Sequence, residues 1–207
     1  MNKSSSRAWF SALLALAAAG LFLASLKLPL WHLKMEAPQY QDKEALRVQV
    51  YPGSLGGDLK EITVLNQYIG VRIPQQMPEL TWLHWTLLAS GLVGIAACAL
   101  PLRFRRPWLF TASALLACAL VVCAAKAQWQ MRDIGHHRAP HPALAGVGDF
   151  TPPLLGKVKI ANFEITTWLG IGALLIATGI GLQVSAGLLS RNPAPPTARL
   201  QKPLAAI

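Results

Sequence analysis

The chain has 207 residues and a formal net charge of +10, yet 53% of its residues are apolar and only 14% are charged. Charged residues make up about a quarter of an ordinary soluble domain, so this composition excludes that class and favours a membrane protein. Excess positive charge can also indicate nucleic-acid binding. Here the basic residues cluster in the segments between and beyond the apolar runs, as in a membrane protein. We therefore predict no nucleic-acid partner.

Four apolar runs are long enough to cross a bilayer, which takes about 20 helical residues. Because a backbone in lipid must satisfy its own hydrogen bonds, each run is predicted to be a helix. We therefore predict an all-α membrane protein with two outer loops that contain short helix and strand elements. The four predicted spans cover residues 9–31, 82–102, 108–128 and 168–189. The first is predicted to be an uncleaved anchor, since it is longer than the apolar core of a signal peptide.

The tryptophans support these four spans independently. Indole rings prefer the interface between membrane and water. All seven lie at or near a predicted span end: Trp9, Trp31, Trp82, Trp85, Trp108, Trp129 and Trp168.

The distribution of charge predicts the orientation. Segments 1–8, 103–107 and 190–207 together hold eight basic residues and no acidic residue, whereas loops 32–81 and 129–167 hold all nine acidic residues. The positive-inside rule then places both termini and the short arginine link in the cytoplasm. We expect a multi-pass protein of a bacterial inner membrane, with two periplasmic loops and with lipid as one partner.

The spans contain little that could carry chemistry. No Asp or Glu lies in them, and the chain has no phosphate-binding loop, dinucleotide fingerprint or hydrolase motif. Transporters and pumps usually need ionisable residues within the membrane, so the lack of acidic residues argues against transport. Because the chain has none of these catalytic motifs, we predict that the protein is not an enzyme. A bis-histidine haem would have to use His32 and His84, both at outer span ends.

Small residues recur at helical spacing and indicate close helix packing. Ser90, Gly94 and Cys98 lie four apart in the second span, and Ala177 and Gly181 do so in the fourth.

The first outer loop is too long for a simple connector. Residues 46–51 (LRVQVY) alternate as a strand does. Asp58 is placed to cap a helix with apolar residues three and four apart, and Gly70 is placed to end it. We expect this helix to lie on the membrane surface or on the second outer loop.

The second outer loop is rich in histidine. Imidazole and thioether groups bind copper where thiols are absent. A weak outer copper site would use His136, His137 and His141, with Met131 or His32 completing the shell. The alternative is a histidine-rich turn that binds nothing specific. We assign no required cofactor. Copper is the candidate for the second loop, and haem is the alternative for His32 and His84.

Several segments of both outer loops resemble a known family. They are residues 35–40 (MEAPQY), 65–70 (LNQYIG), 77–80 (MPEL), 134–136 (IGH), 152–156 (PPLLG) and 160–163 (IANF). Together they look like a family of small bacterial membrane proteins encoded beside the maturation genes of nitrous oxide reductase. The family's first loop has His and Met where this chain has Gln67 and Val71, which weakens the case for copper at that segment.

The resemblance implies an accessory protein for a periplasmic copper-enzyme system, acting in nitrous oxide respiration by docking a membrane or periplasmic partner and by handling copper. Residues of both loops are expected to form the docking surface: Leu65, Asn66, Tyr68, Ile69, Pro152 and Pro153. Two alternatives remain open. One is a non-catalytic structural subunit of a larger membrane complex, and the other is an electron-transfer subunit that handles quinol or haem.

Overall fold

A computed structural model describes residues 3–36, 45–69, 78–136, 151, 153–160 and 163–190. Its elements are, in chain order, α1 (Lys3–Ser25), β1 (Trp31–Glu36), β2 (Leu46–Tyr51), β3 (Ser54–Gly57), α2 (Leu59–Ile69), α3 (Pro78–Ala99), α4 (Leu102–His136), β4 (Gly156–Ile160), β5 (Phe163–Leu169) and α5 (Ile171–Leu189). Four of the helices, α1, α3, α4 and α5, are long and apolar enough to cross a membrane. The structure thus has the predicted number of helices that could span a membrane, and the predicted strand at 46–51 and helix after Asp58 are confirmed.

The four long helices form a ring. α1 packs against α3, α3 against α4 and α4 against α5, and the contact of α5 with α1 closes the ring. A core cluster containing Phe22, Leu87, Leu116 and Ile176 fills the half nearer the sheet. Smaller residues, including Ala15, Ala97 and Ala186, fill the other half with Leu109. Large apolar side chains on the outside of the ring, such as Leu115, are exposed, as a lipid-facing surface requires.

Close helix packing depends on glycines whose missing side chains make room for neighbours. An ideal Cβ at Gly179 would lie 2.5 Å from Cε1 of Phe22, whereas one at Gly181 would meet nothing within 4 Å. On α3, Ser90 is buried, a Cβ at Gly94 would lie 3.4 Å from the carbonyl oxygen of Ala15, and Cys98 faces α1. The predicted packing stripe on α3 is confirmed, whereas Gly181 faces away from the other helices.

The predicted all-α class is wrong in one respect, because the structure also contains a five-stranded antiparallel sheet with the order β3-β2-β1-β5-β4. The sheet begins where two membrane helices end. The span predicted to reach Trp31 ends as a helix at Ser25, and after a turn and Pro29 the chain enters β1. The span predicted from Trp168 becomes helical only at Ile171, because Trp168 belongs to β5.

β1 and β5 are neighbours at the centre of the sheet, with Trp31 opposite Leu169 and Glu36 opposite Glu164. The first outer loop therefore folds together with the second. β1 follows α1 after a five-residue connection, and β5 leads through Gly170 into α5. α2 lies against β2, and Ile62 on α2 is buried.

α4 is longer than a span needs. Its 35 residues extend over roughly 52 Å at 1.5 Å per residue, against a hydrocarbon core of about 30 Å. The helix therefore continues past the predicted span end at residue 128. The backbone of Leu154 joins this extension to the sheet, since its N–H donates to Oε1 of Gln128 (3.2 Å) and its carbonyl accepts from Nε1 of Trp31 (2.5 Å).

Candidate functional site

His136 is exposed at the end of the α4 extension. Its Nδ1 lies 2.7 Å from the carbonyl oxygen of Arg132, to which an Nδ1–H tautomer donates, so Nε2 is the nitrogen left for a ligand. Met131 is half-buried on the same helix. Five residues correspond to about 140° around a helix, so Met131 and His136 do not share one face.

His32 lies on β1, and its ring stacks on that of Trp168 with centroids 5.3 Å apart. His84 lies on α3, with Nδ1 3.2 Å from the carbonyl oxygen of Pro52 in the β2–β3 turn. The two histidines thus make separate contacts where the sheet meets the helices, and His32 is on a strand rather than on a membrane helix.

His137 and His141 lie outside the described residues, so the predicted copper site remains a prediction. Within the part of the chain that the structure describes, no three His, Cys, Asp or Glu side chains are grouped to hold a metal ion.

The predicted docking residues have different outcomes. Leu65, Asn66, Tyr68 and Ile69 lie in the second half of α2, where only the backbone is described. Pro152 is outside the described residues. Pro153 is half-buried, and its carbonyl accepts a hydrogen bond from the hydroxyl of Thr167 on β5 (3.1 Å).

The sheet register creates two chemically different faces, because residues opposite each other on paired strands point to the same side. One, which we call the polar face, is identified by the pairs His32–Gln49, Lys34–Arg47, Lys34–Thr166, Lys157–Thr166 and Lys159–Glu164. The other, which we call the apolar face, is identified by the pairs Leu33–Val48, Met35–Ile165 and Val158–Ile165.

The polar face carries more positive than negative charge. Arg47 and Lys159 are exposed. Lys157 forms an ion pair with Glu164 (3.3 Å), and Lys34 forms one with Glu36. The hydrogen bond and the charge of Lys34 hold the pKa of Glu36 below its ordinary value. A surface of this kind suits the recognition of an acidic partner.

Sequence reasoning missed this face, although a signal was present. Residues 31–36 (WHLKME) alternate apolar and polar side chains with the period of a strand. The long apolar run before them predicts a helix that continues to Trp31 instead.

The junction between sheet and helices is tightly built. The N–H of Gly170 donates to the carbonyl of Leu30 (2.8 Å), and that of Gly172 donates to Pro29 (2.9 Å). An ideal Cβ at Gly170 would lie 2.1 Å from the carbonyl oxygen of Pro29. The approach of the two chain segments therefore requires glycine at position 170.

Comparison with known proteins adds no assignment. Neither a protein-family model nor a curated protein matches this chain.

Proposed function

We propose that this protein is a membrane-embedded accessory protein whose sheet binds a partner outside the lipid. The observation that carries this proposal is the short connection of α1 to β1, through residues 26–30, and of β5 to α5, through Gly170. Two central strands held by two membrane helices keep the polar face at a fixed height and orientation. A docking surface needs such a fixed position, because its partner must meet the same residues each time it binds.

The distribution of charge supports a location of the sheet on the periplasmic side of a bacterial inner membrane, with both termini in the cytoplasm. Arg103, Arg105 and Arg106 lie at the opposite end of the bundle, and basic residues stay on the cytoplasmic side. The charged residues Lys34 and Glu36 support a position of β1 outside the hydrocarbon core.

The sequence resemblance supports the class of partner. We propose a periplasmic copper-enzyme system, in which the chain assists nitrous oxide respiration. The exposed imidazole of His136 is compatible with transient copper handling by the same end of the molecule.

The test uses a bacterium that carries the gene. Deletion should lower nitrous oxide reduction by whole cells, and the wild-type gene should restore it. The double variant Arg47→Glu/Lys159→Glu should fail to restore activity while accumulating normally in the membrane, because it reverses two exposed charges on the polar face. Lys60→Glu/Arg132→Glu is the matched control, since both exposed residues lie outside that face.

The outcomes separate the two parts of the proposal. Normal nitrous oxide reduction in the deletion strain would remove the copper-enzyme partner. Full restoration by Arg47→Glu/Lys159→Glu would remove the polar face as the docking surface.

A further inference from the structure

The bundle end opposite the sheet carries three arginines in different environments. Arg105 is 5% exposed and is held by backbone carbonyls, whereas Arg103 and Arg106 are exposed. Residues three apart on a helix lie on the same side. Arg103 and Arg106 therefore start about one turn apart on the same side of α4.

Aromatic rings hold these two side chains near the bundle surface. Cζ of Arg103 lies 4.5 Å from the centroid of the Phe104 ring, and Cζ of Arg106 lies 5.7 Å from that of Phe110. Phe110 packs on α5, since a Cβ at Gly187 would lie 3.0 Å from its ring. Arg106 is thus placed over the seam between α4 and α5.

In the described part of the chain, neither arginine forms an ion pair, and the ion pairs Lys34–Glu36 and Lys157–Glu164 lie in the sheet. Leu188 on α5, near the same end of the bundle, is 55% exposed, and Phe110 packs into the seam between α4 and α5. The exposed positive charge of Arg106 thus lies over an apolar seam, with Arg103 about one turn before it on α4.

We propose that Arg103 and Arg106 bind the phosphate of an anionic phospholipid, whose acyl chains lie along the α4–α5 seam. A guanidinium group presents paired N–H donors that match phosphate oxygens, and stacking on an aromatic ring leaves its edge free to donate. Basic sites between membrane helices bind anionic headgroups in the same way. This site is separate from the polar face and does not depend on the proposed partner.

The experiment uses the full chain, purified in a neutral detergent and titrated separately with phosphatidylglycerol and with phosphatidylcholine. Native mass spectrometry counts the bound lipid. Each arginine near an anionic headgroup contributes about a fivefold change in binding. Arg103→Gln and Arg106→Gln should each weaken phosphatidylglycerol binding about fivefold, and the double variant about 25-fold, while phosphatidylcholine binding stays unchanged.

Lys157→Gln/Lys159→Gln is the matched control, because it removes the same charge from the sheet; it should bind phosphatidylglycerol as the wild type does. Inorganic phosphate at millimolar concentration should not displace the lipid. Equal phosphatidylglycerol binding by the wild type and the double arginine variant would overturn the proposal. So would equal affinity of the wild type for both lipids, an equal loss in the lysine control, or displacement of the lipid by phosphate alone.

Discussion

Arg105 is a charged residue inside the bundle, and its surroundings account for its position. Nε donates to the carbonyl of Ala97 (2.9 Å), Nη1 to that of Ala8 (3.0 Å), and Nη2 to those of Cys98 (2.7 Å) and Leu100 (3.3 Å). The carbonyls of Ala97 and Cys98 lie in the last turn of α3 and that of Leu100 lies just beyond it, where a positive charge is favourable. One guanidinium group therefore joins α1, α3 and α4.

Replacing this group should be costly. We expect Arg105→Gln to lower the free energy of unfolding by about 3 kcal/mol, because several buried carbonyls lose a charged donor. Arg105→Lys should recover only part of that loss, since an ammonium group cannot span the same acceptors. Thermal unfolding in neutral detergent, followed by circular dichroism, measures both.

Arg106→Gln is the control one residue away. Because Arg106 is exposed, its replacement should change stability by less than about 0.5 kcal/mol. Equal losses at positions 105 and 106 would contradict the assigned role of Arg105.

Two glycines on α5 provide a second comparison. Gly179→Ala should destabilise the protein by about 1–3 kcal/mol, because the new methyl group would overlap the buried ring of Phe22. Gly181→Ala should be neutral or stabilising by up to about 1 kcal/mol, since nothing lies near it and alanine favours the helix. Chemical or thermal unfolding of the two variants side by side tests the packing, and the reverse order would refute it.

The predicted copper site can be tested at its three histidines in the second outer loop. If the loop binds copper, purified wild-type protein should retain it after dialysis, and a triple alanine variant at positions 136, 137 and 141 should lose it, because imidazole is the favoured ligand there. Metal analysis and copper titration compare the two proteins. Equal retention by both, or none by either, would leave docking as the better interpretation.

At the scale of elements, β2 and α2 could be predicted because their patterns are local. β2 alternates, and α2 follows Asp58 with apolar residues at helical spacing. Asp58 was predicted to cap α2. In the structure its Oδ2 accepts a hydrogen bond from the backbone N–H of Arg47 on β2 (2.9 Å). Its side chain thus fixes α2 to the strand beneath it.

The pairing of β1 with β5 could not be predicted in the same way. The two strands are more than 120 residues apart, and each is contiguous with an apolar helix. A hydropathy window assigns Trp31 and Trp168 to the spans, because it measures apolar content and not backbone conformation. Pro29, which cannot continue a helix, was the local evidence that α1 ends earlier.

A disulfide tests the strand pairing. Lys34→Cys/Thr166→Cys should cross-link under mild oxidation, because the two residues are directly opposite on β1 and β5. Lys34→Cys/Lys157→Cys should not, since β5 lies between their strands and places the residues about 10 Å apart. Proteolysis between the strands followed by non-reducing electrophoresis distinguishes them, and cross-linking of the second pair alone would refute the strand order.

At the scale of the whole molecule, the orientation in the membrane is the feature with the clearest test. A reporter that is active only in the periplasm should be active when fused after Gly70 or Ala145, and silent when fused after Arg106 or at Ile207. The reason is the concentration of basic residues at one end of the bundle. Activity after Arg106 would contradict the four-span arrangement.

The number of helices that could span a membrane followed from composition, since lipid imposes the same rule on every span. Their limits did not, because α3 ends at Ala99 and α4 begins at Leu102, so that the predicted link 103–107 is helical. The proposed docking surface could not be predicted either, because it depends on which loops fold together. The polar face takes residues from both outer loops, and only the antiparallel register brings Arg47 and Lys159 to one side of the sheet.

The hydrogen bonds that join Pro29 and Leu30 to Gly170 and Gly172 limit how the lengths of the helices can change. One residue added within α1 would advance β1 by about 1.5 Å and rotate it by about 100°. β5 would stay in place, because α5 keeps its own length and Gly170 allows no slack against Pro29. The ladder between β1 and β5 and the packing of α1 on α5 could not both survive that insertion. The lengths of α1 and α5 must therefore change together or not at all, so a bilayer of different thickness has to be met by tilting the whole bundle, and the sheet would tilt with it.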